Sequence, residues 1–132
     1  MQKYESKISK SNRLASDLYD RFSNAEMLAH MFPQDQFQLV EVTPDRCLFE
    51  SKQYGQVGFQ IVDREEDKMV KFSDVNGKPF GFFLWFQFKE VGAYDTRIRV
   101  TLHIDLPAIM KFAMKGKIQK VLDQFADAIA QA

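Results

Sequence analysis

The spacing of apolar residues changes along the chain, and each spacing predicts an element. Residues 2–10 (QKYESKISK) alternate, with Tyr4, Ser6 and Ile8 on one side and Lys3, Glu5 and Lys7 on the other. Period two over this length predicts a half-buried strand. From residue 11 the period becomes four. Leu14, Leu18 and Phe22 share one helical face, with Ser11 or Asn12 as the N-cap. Ser23-Asn24-Ala25-Glu26 has the form of a capping box. A second short helix is therefore expected, carrying Met27, Leu28, Met31 and Phe32 and stopping at Pro33.

Between 36 and 105 the pattern is strand after strand. Val40 and Val42 sit in the first, Cys47 and Phe49 in the second, with Thr43-Pro44-Asp45 as the turn between them. Tyr54-Gly55 breaks the chain again, and Val57, Phe59 and Ile61 then alternate with polar residues or glycine. Arg64-Glu65-Glu66-Asp67 reads as a charged hairpin tip before Val70 and Phe72. Asn76-Gly77 is a hairpin signal, because both residues tolerate positive φ. A strand over 80–88 and a turn near Gly92-Ala93 lead to the clearest strand. There Ile98, Val100, Leu102 and Ile104 face in, while Arg97, Arg99, Thr101, His103 and Asp105 face out. Asp105 is a candidate cap and Pro107 a first-turn residue for a long closing helix. Its amphipathic stripe is Ile118, Val121, Leu122, Phe125 and Ile129.

This order predicts an α+β domain spanning 1–132. Seven antiparallel strands form a curved sheet, two short helices follow the first strand, and the inner face is covered by the only long apolar helix. The KYESK opening (3–7), the hairpin region 49–72 with its FQIVDREEDKMVKF run, the LWFQF strand (84–88) and the closing helix carry a resemblance. The chain resembles the START-like (SRPBCC) superfamily, the helix-grip fold of polyketide cyclases and lipid-transfer domains, and most of all its small stand-alone bacterial members. The resemblance implies a cavity between sheet and helix, often holding an apolar ligand. It brings no universal catalytic motif, and known relatives include lipid or quinone binders, aromatase/cyclases and a co-chaperone.

Composition sharpens this picture at one point. Thirteen of the 132 residues are Phe, so the core is built from large rings or the rings enclose something. Large inward positions are Phe49, Phe59, Phe72, Phe82, Leu84 and Phe86, and small ones are Ser6, Cys47 and Ser51. Large rings with small gaps suit either a cavity or a filled core. The ligand-cavity reading adds Tyr4, Met31, Met110 and Met114, with Tyr4, Ser6 and Ser51 as orienting polar groups. In 106–114 (LPAIMKFAM) the apolar residues wrap beyond one stripe, so something besides the sheet should cover them. The 24–32 helix, a ligand entrance and a partner surface are the alternatives.

An outward Phe83–Trp85 pair should face His103 and Thr101 across the hairpin, with Arg99 diagonal to Trp85. This is either a homodimer or partner patch or an ordinary cross-strand cluster. Eighteen basic against eighteen acidic residues argue against nucleic acid and against strong attachment to anionic lipid, although a net figure hides local patches. One cysteine excludes an internal disulfide, and neither a signal-like N-terminus nor a spanning apolar run is visible, so the cytoplasm is the default location without integral membrane association. No metal-ligand spacing, nucleophile motif or phosphate loop occurs, and no cofactor is implied. The leading expectation is a binder of a small hydrophobic or amphipathic ligand. The alternatives are a protein-interaction or co-chaperone-type module and a cyclase-type enzyme.

Overall fold

The computed structural model describes residues 1–31, 35–78 and 80–132. Its elements run β1 (Gln2–Glu5), β2 (Ser9–Ser11), α1 (Ala15–Phe22), α2 (Ala25–Ala29), β3 (Phe37–Val42), β4 (Arg46–Ser51), β5 (Gly55–Glu65), β6 (Met69–Asp74), β7 (Phe82–Gly92), β8 (Asp95–Ile104) and α3 (Ala108–Ala130). All strand pairs are antiparallel, in the order β1-β8-β7-β6-β5-β4-β3, with β2 also on β8. The α+β architecture expected from the periodicity, and the helix-grip arrangement that the resemblance implies, are therefore present. Seven strand positions hold eight strands, because the first strand is cut in two.

The cut is a β-bulge. Glu5 pairs with Thr101 and Ser9 with Ile98, so three residues on one side oppose two on the other. The Ser6 hydroxyl accepts from the Val100 N–H and donates to the Lys7 carbonyl, which holds the bulge in place. Beyond it the alternation changes phase. Ser9 and Ser11 turn inward, and Ile8, expected on the inner side, is exposed.

Helix starts also differ from expectation. Ser11 belongs to β2, and its hydroxyl accepts from the Arg13 N–H in a local turn. Helix α1 begins only at Ala15, where the first free N–H is taken by the Glu90 carboxylate from β7. An acidic group at a helix N-terminus satisfies an orphan donor and complements the helix dipole. For α2 the cap is Asn24, which accepts from the Glu26 N–H, rather than Ser23. Phe32 and Pro33, expected to end that helix, lie outside the described residues. Asp105 does not cap α3; the N-cap is Pro107, and the Asp105 carboxylate sits 3.4 Å from the N-terminal amine. The 80–88 strand begins at Phe82 and continues to Gly92, so Asn76-Gly77 lies in a longer connection than a two-residue hairpin.

The two helical layers hold different parts of the inner face. Pro44 accepts from Ala25, the Ser23 carbonyl accepts from Arg64, and the Arg13 carbonyl accepts from Thr96. These contacts dock α1 and α2 at the end of the sheet that carries the β3–β4, β5–β6 and β7–β8 turns. Leu18, Phe22 and Leu28 are buried there against Phe86, Phe72 and Cys47. Helix α3 packs on β8, β2 and β1. Its buried residues, Ile118, Leu122, Ala126 and Ile129, all come from its second half, while Val121 of the expected stripe is exposed and Phe125 half-buried. No helix among the described residues is long and apolar enough to cross a membrane.

Candidate functional site

The phenylalanine excess builds a row of rings across the inner face. Ring centroids step from Phe37 to Phe49 (6.1 Å), Phe59 (5.8 Å), Phe72 (6.0 Å), Phe86 (5.1 Å) and Phe22 of α1 (6.2 Å). Most steps are edge-on, an arrangement that places the positive edge of one ring against the negative face of the next. The two ends of the row differ. Phe72 and Phe86 are fully buried beneath α1, and Leu84 beside them is buried. At the other end the row opens into a pocket of about 190 Å³ lined by Phe37, Phe49, Tyr54, Val57, Gly58, Phe59, Lys78 and Phe82.

The strand directions locate this pocket. Strand β5 starts at Gly55, β7 starts at Phe82 opposite Ile104, and β8 ends there, so the pocket lies at the end of the sheet opposite α1 and α2. Gly58 forms part of its lining, and β4 runs beside it in the same sheet with Leu48 as its pairing partner. A Cβ there would stand 2.5 Å from the Cys47 carbonyl oxygen and 2.7 Å from Leu48 Cδ2, so no larger residue fits without moving the strand. Lys78 and Tyr54 are both exposed and are the only ionisable side chains of the lining among the described residues. The pocket can bury an apolar group and meet an anionic one at its edge. Among the described residues its lining holds no carboxylate or imidazole.

Of the residues expected to line a cavity, the pocket brings together Phe49, Phe59 and Phe82. Phe72, Leu84 and Phe86 are filled core. Ser6 is engaged in the bulge, and the Ser51 hydroxyl accepts from the Gln53 and Tyr54 N–H groups of the β4–β5 turn. Tyr4, Met31 and Met114 are half-buried against the core, and Met110 is half-buried at the start of α3. Of the three covers considered for 106–114, the described part of the 24–32 segment does not shield its outer face. Ile109 and Phe112 are 88% and 93% exposed, and Met27 is itself exposed. Sequence reasoning missed Phe37, Tyr54 and Lys78. Their signal was positional: Tyr54 and Lys78 each adjoin a turn residue, Gly55 and Gly77, with φ of 73° and 75°, and antiparallel order puts both turns at one end.

Cys47 is buried, its Sγ 3.2 Å from the Ala25 carbonyl. Burial, aided by the nearby Glu26 charge, pushes its thiol up to about 11, so at neutral pH it is a protonated core side chain and not a nucleophile. Among the described residues no group of three or more His, Cys, Asp or Glu side chains is placed to hold a metal ion.

On the outer face, Phe83 pairs with His103 and Trp85 with Thr101, the register expected from the hairpin. Trp85 lies 6.1 Å from Phe83 and 4.6 Å from His103. Lys71 of β6 adds a cation over both rings, 4.4 Å from the Phe83 centroid and 5.1 Å from that of Trp85. Burial, then the charges of Lys3, Lys71 and the N-terminal amine, hold the His103 imidazole below its ordinary value, with Glu5 opposing. Arg99 turns to Glu5 at 3.9 Å. The rings, the imidazole and Lys71 satisfy one another as a cross-strand cluster.

The sequence matches no family model and no curated protein. Solved structures do match in shape. A START superfamily protein from Mycobacterium smegmatis aligns with a TM-score of 0.69 at 14% identity, covering 98% of this chain and 97% of that one. The Aha1 dimer from Colwellia psychrerythraea gives 0.63 at 15% identity, again covering 98% and 97%. Ara h 8.0201 gives 0.59 at 13% identity, covering 99% of each chain. At these identities the likeness concerns the fold, and with the sheet order and the closing helix it leads to one statement: this chain has the START-like helix-grip fold.

Proposed function

We propose that this protein binds a small amphipathic molecule with an apolar body and an anionic head. The observation that carries the reading is the open end of the phenylalanine row, where six apolar or aromatic side chains and Gly58 surround a pocket whose one cation is Lys78. An apolar body would sit on Phe49, Phe59 and Phe82, and burial of its surface would supply most of the affinity. The Lys78 ammonium would meet a carboxylate, sulfonate or phosphate at the mouth. Typical ligand pockets measure roughly 300–1,000 Å³, so the 190 Å³ available here suits a short apolar chain or a single ring system. A longer ligand would extend from the mouth towards the start of α3. Likeness to a START superfamily protein supports a ligand-holding role for the fold. The absence of carboxylate and imidazole from the lining favours binding over cyclase chemistry.

The fluorescent probe 1-anilinonaphthalene-8-sulfonate has both parts of such a ligand. Its fluorescence should rise on binding to the native protein. Val57→Phe, which fills the pocket, should weaken binding by at least about tenfold, equivalent to roughly 1.4 kcal/mol. Lys78→Glu should weaken the sulfonate's binding severalfold without disturbing the fold. Unchanged titrations for both variants, with native circular dichroism, would place the probe elsewhere and remove this site. Mass spectrometry of an organic extract of the purified protein gives an independent readout of the natural ligand class.

A further inference from the structure

The first half of α3 carries an anomaly that the pocket does not explain. Phe112 and Ile109 are the most exposed large apolar residues among those described, at 93% and 88%. They stand three positions apart, on one face of the helix, and the exposed Ala113 and Gly116 share that face. Between Pro107 and Leu122 the chain has four lysines (Lys111, Lys115, Lys117 and Lys120) and no acidic residue. All four are exposed, and among the described residues none is in an ion pair. A chain of zero net charge thus carries uncompensated positive charge along this half of the helix, with Lys117 and Lys120 bordering the two protruding apolar side chains and Lys111 and Lys115 on the opposite row.

We propose that this face docks on an anionic lipid surface, with Phe112 and Ile109 entering the headgroup region and Lys117 and Lys120, which border that face, held at the phosphates. Protruding apolar residues bordered by flexible cations are what an interfacial helix requires, since lysine stems lie along the apolar boundary while their ammonium groups stay in the polar layer. Clustered lysines also draw a protein to anionic leaflets. A second copy is disfavoured as the occupant, because a symmetric pairing of this face sets one cluster of lysines against another. An acidic protein is disfavoured by position. The mouth of the apolar pocket lies at the same end of the sheet as the start of α3, so docking would bring it to the lipid, where an amphipathic ligand could enter without crossing water. The preference for lipid over an acidic protein, and the source of the ligand, rest on the proposed function. The docking surface stands without it.

The test uses the full chain and phosphatidylcholine vesicles with or without phosphatidylserine, followed by sedimentation. The native protein should pellet with the serine-containing vesicles, and binding should fall about tenfold or more when the anionic lipid is omitted or salt is raised. The double variant Ile109→Ser/Phe112→Ser should lose a similar factor, and so should Lys117→Glu/Lys120→Glu. Both should keep native probe fluorescence in the pocket assay, which separates failure of docking from failure of ligand binding. A native protein that stays in the supernatant with anionic vesicles overturns the proposal, as does pelleting indifferent to the Phe112 variant. Concentration-dependent dimerisation abolished by Phe112→Ser, without vesicle binding, would assign the face to a second copy. Capture by polyglutamate without vesicle binding would assign it to an acidic protein. Either result also overturns the lipid proposal.

Discussion

The two halves of α3 share one helix and one backbone geometry, yet they are used in opposite ways. Residues 118–130 bury Ile118, Leu122, Ala126 and Ile129 against the sheet. They are tied there by polar groups aimed at the bulge: Asp123 accepts from the Lys7 N–H at 2.7 Å, and Asp127 meets the Lys7 ammonium and the Ser9 hydroxyl, each at 2.8 Å. Gln119 adds a bond to the Glu5 carbonyl at 2.8 Å. Residues 108–117 are as apolar in composition but send Ile109 and Phe112 away from the protein. Apolar content alone therefore does not make a core. What decides is whether a partner surface lies in the direction the side chains point, and the bulge at Lys7-Ile8 supplies one only for the second half.

The largest test of this contrast is stability. Leu122→Ala should cost about 2–5 kcal/mol in urea unfolding, the usual range for emptying a packed leucine site. Phe112→Ala should stay within about 0.5 kcal/mol, as for other surface changes. Equal losses from both would mean that the first half is packed in solution, and the contrast would fail. Hydrogen exchange should grade it more finely. Amides of 112–117 are expected to exchange at least about tenfold faster than those of 120–128, because few buried contacts hold the first half closed. Uniform protection along the helix would contradict that.

The smallest effect is on pH. Hydrogen bonds from Lys7 and then Ser9 hold the Asp127 carboxyl below its ordinary 3.8. Because the folded value lies below the unfolded one, the tie contributes fully above that ordinary value and fades as the pH falls through the lower folded one. The NMR shifts of Ser9 should therefore stay constant down to about pH 4 and move only below it. Asp127→Asn should remove the transition. The group is exposed and screened, so only a slight change in overall stability is expected.

Much of the fold was legible because it rests on period. Alternation in 97–105 and in 82–88 set the β7–β8 pairing, including Phe83 opposite His103 and Trp85 opposite Thr101. The Asn24 and Glu26 neighbourhood marked the start of α2, and the 3.6-residue spacing marked α3. The inward placement of Phe49, Phe59 and Phe82 followed from the same alternation. Their division from Phe72 and Phe86 did not, since an inward ring under a helix and an inward ring beside a pocket have identical sequence signatures.

By itself, then, the sequence determined the order of the elements, the antiparallel pairing and the side of the sheet that rings such as Phe49, Phe59, Phe83 and Trp85 occupy, because these are local consequences of side-chain period and turn chemistry. Only the tertiary structure decided the phase change after Ser6, the end of the sheet that α1 and α2 cover, the pocket left at the other end and the outward face of Ile109 and Phe112. Each of these depends on which distant segment arrives to fill a space: Phe37 and Phe82 in one pocket, Glu90 at the start of α1, Lys7 and Ser9 beneath Asp127. Contacts between residues many tens of positions apart leave no periodic trace in a single chain, so packing alone distinguishes a filled core from an open one.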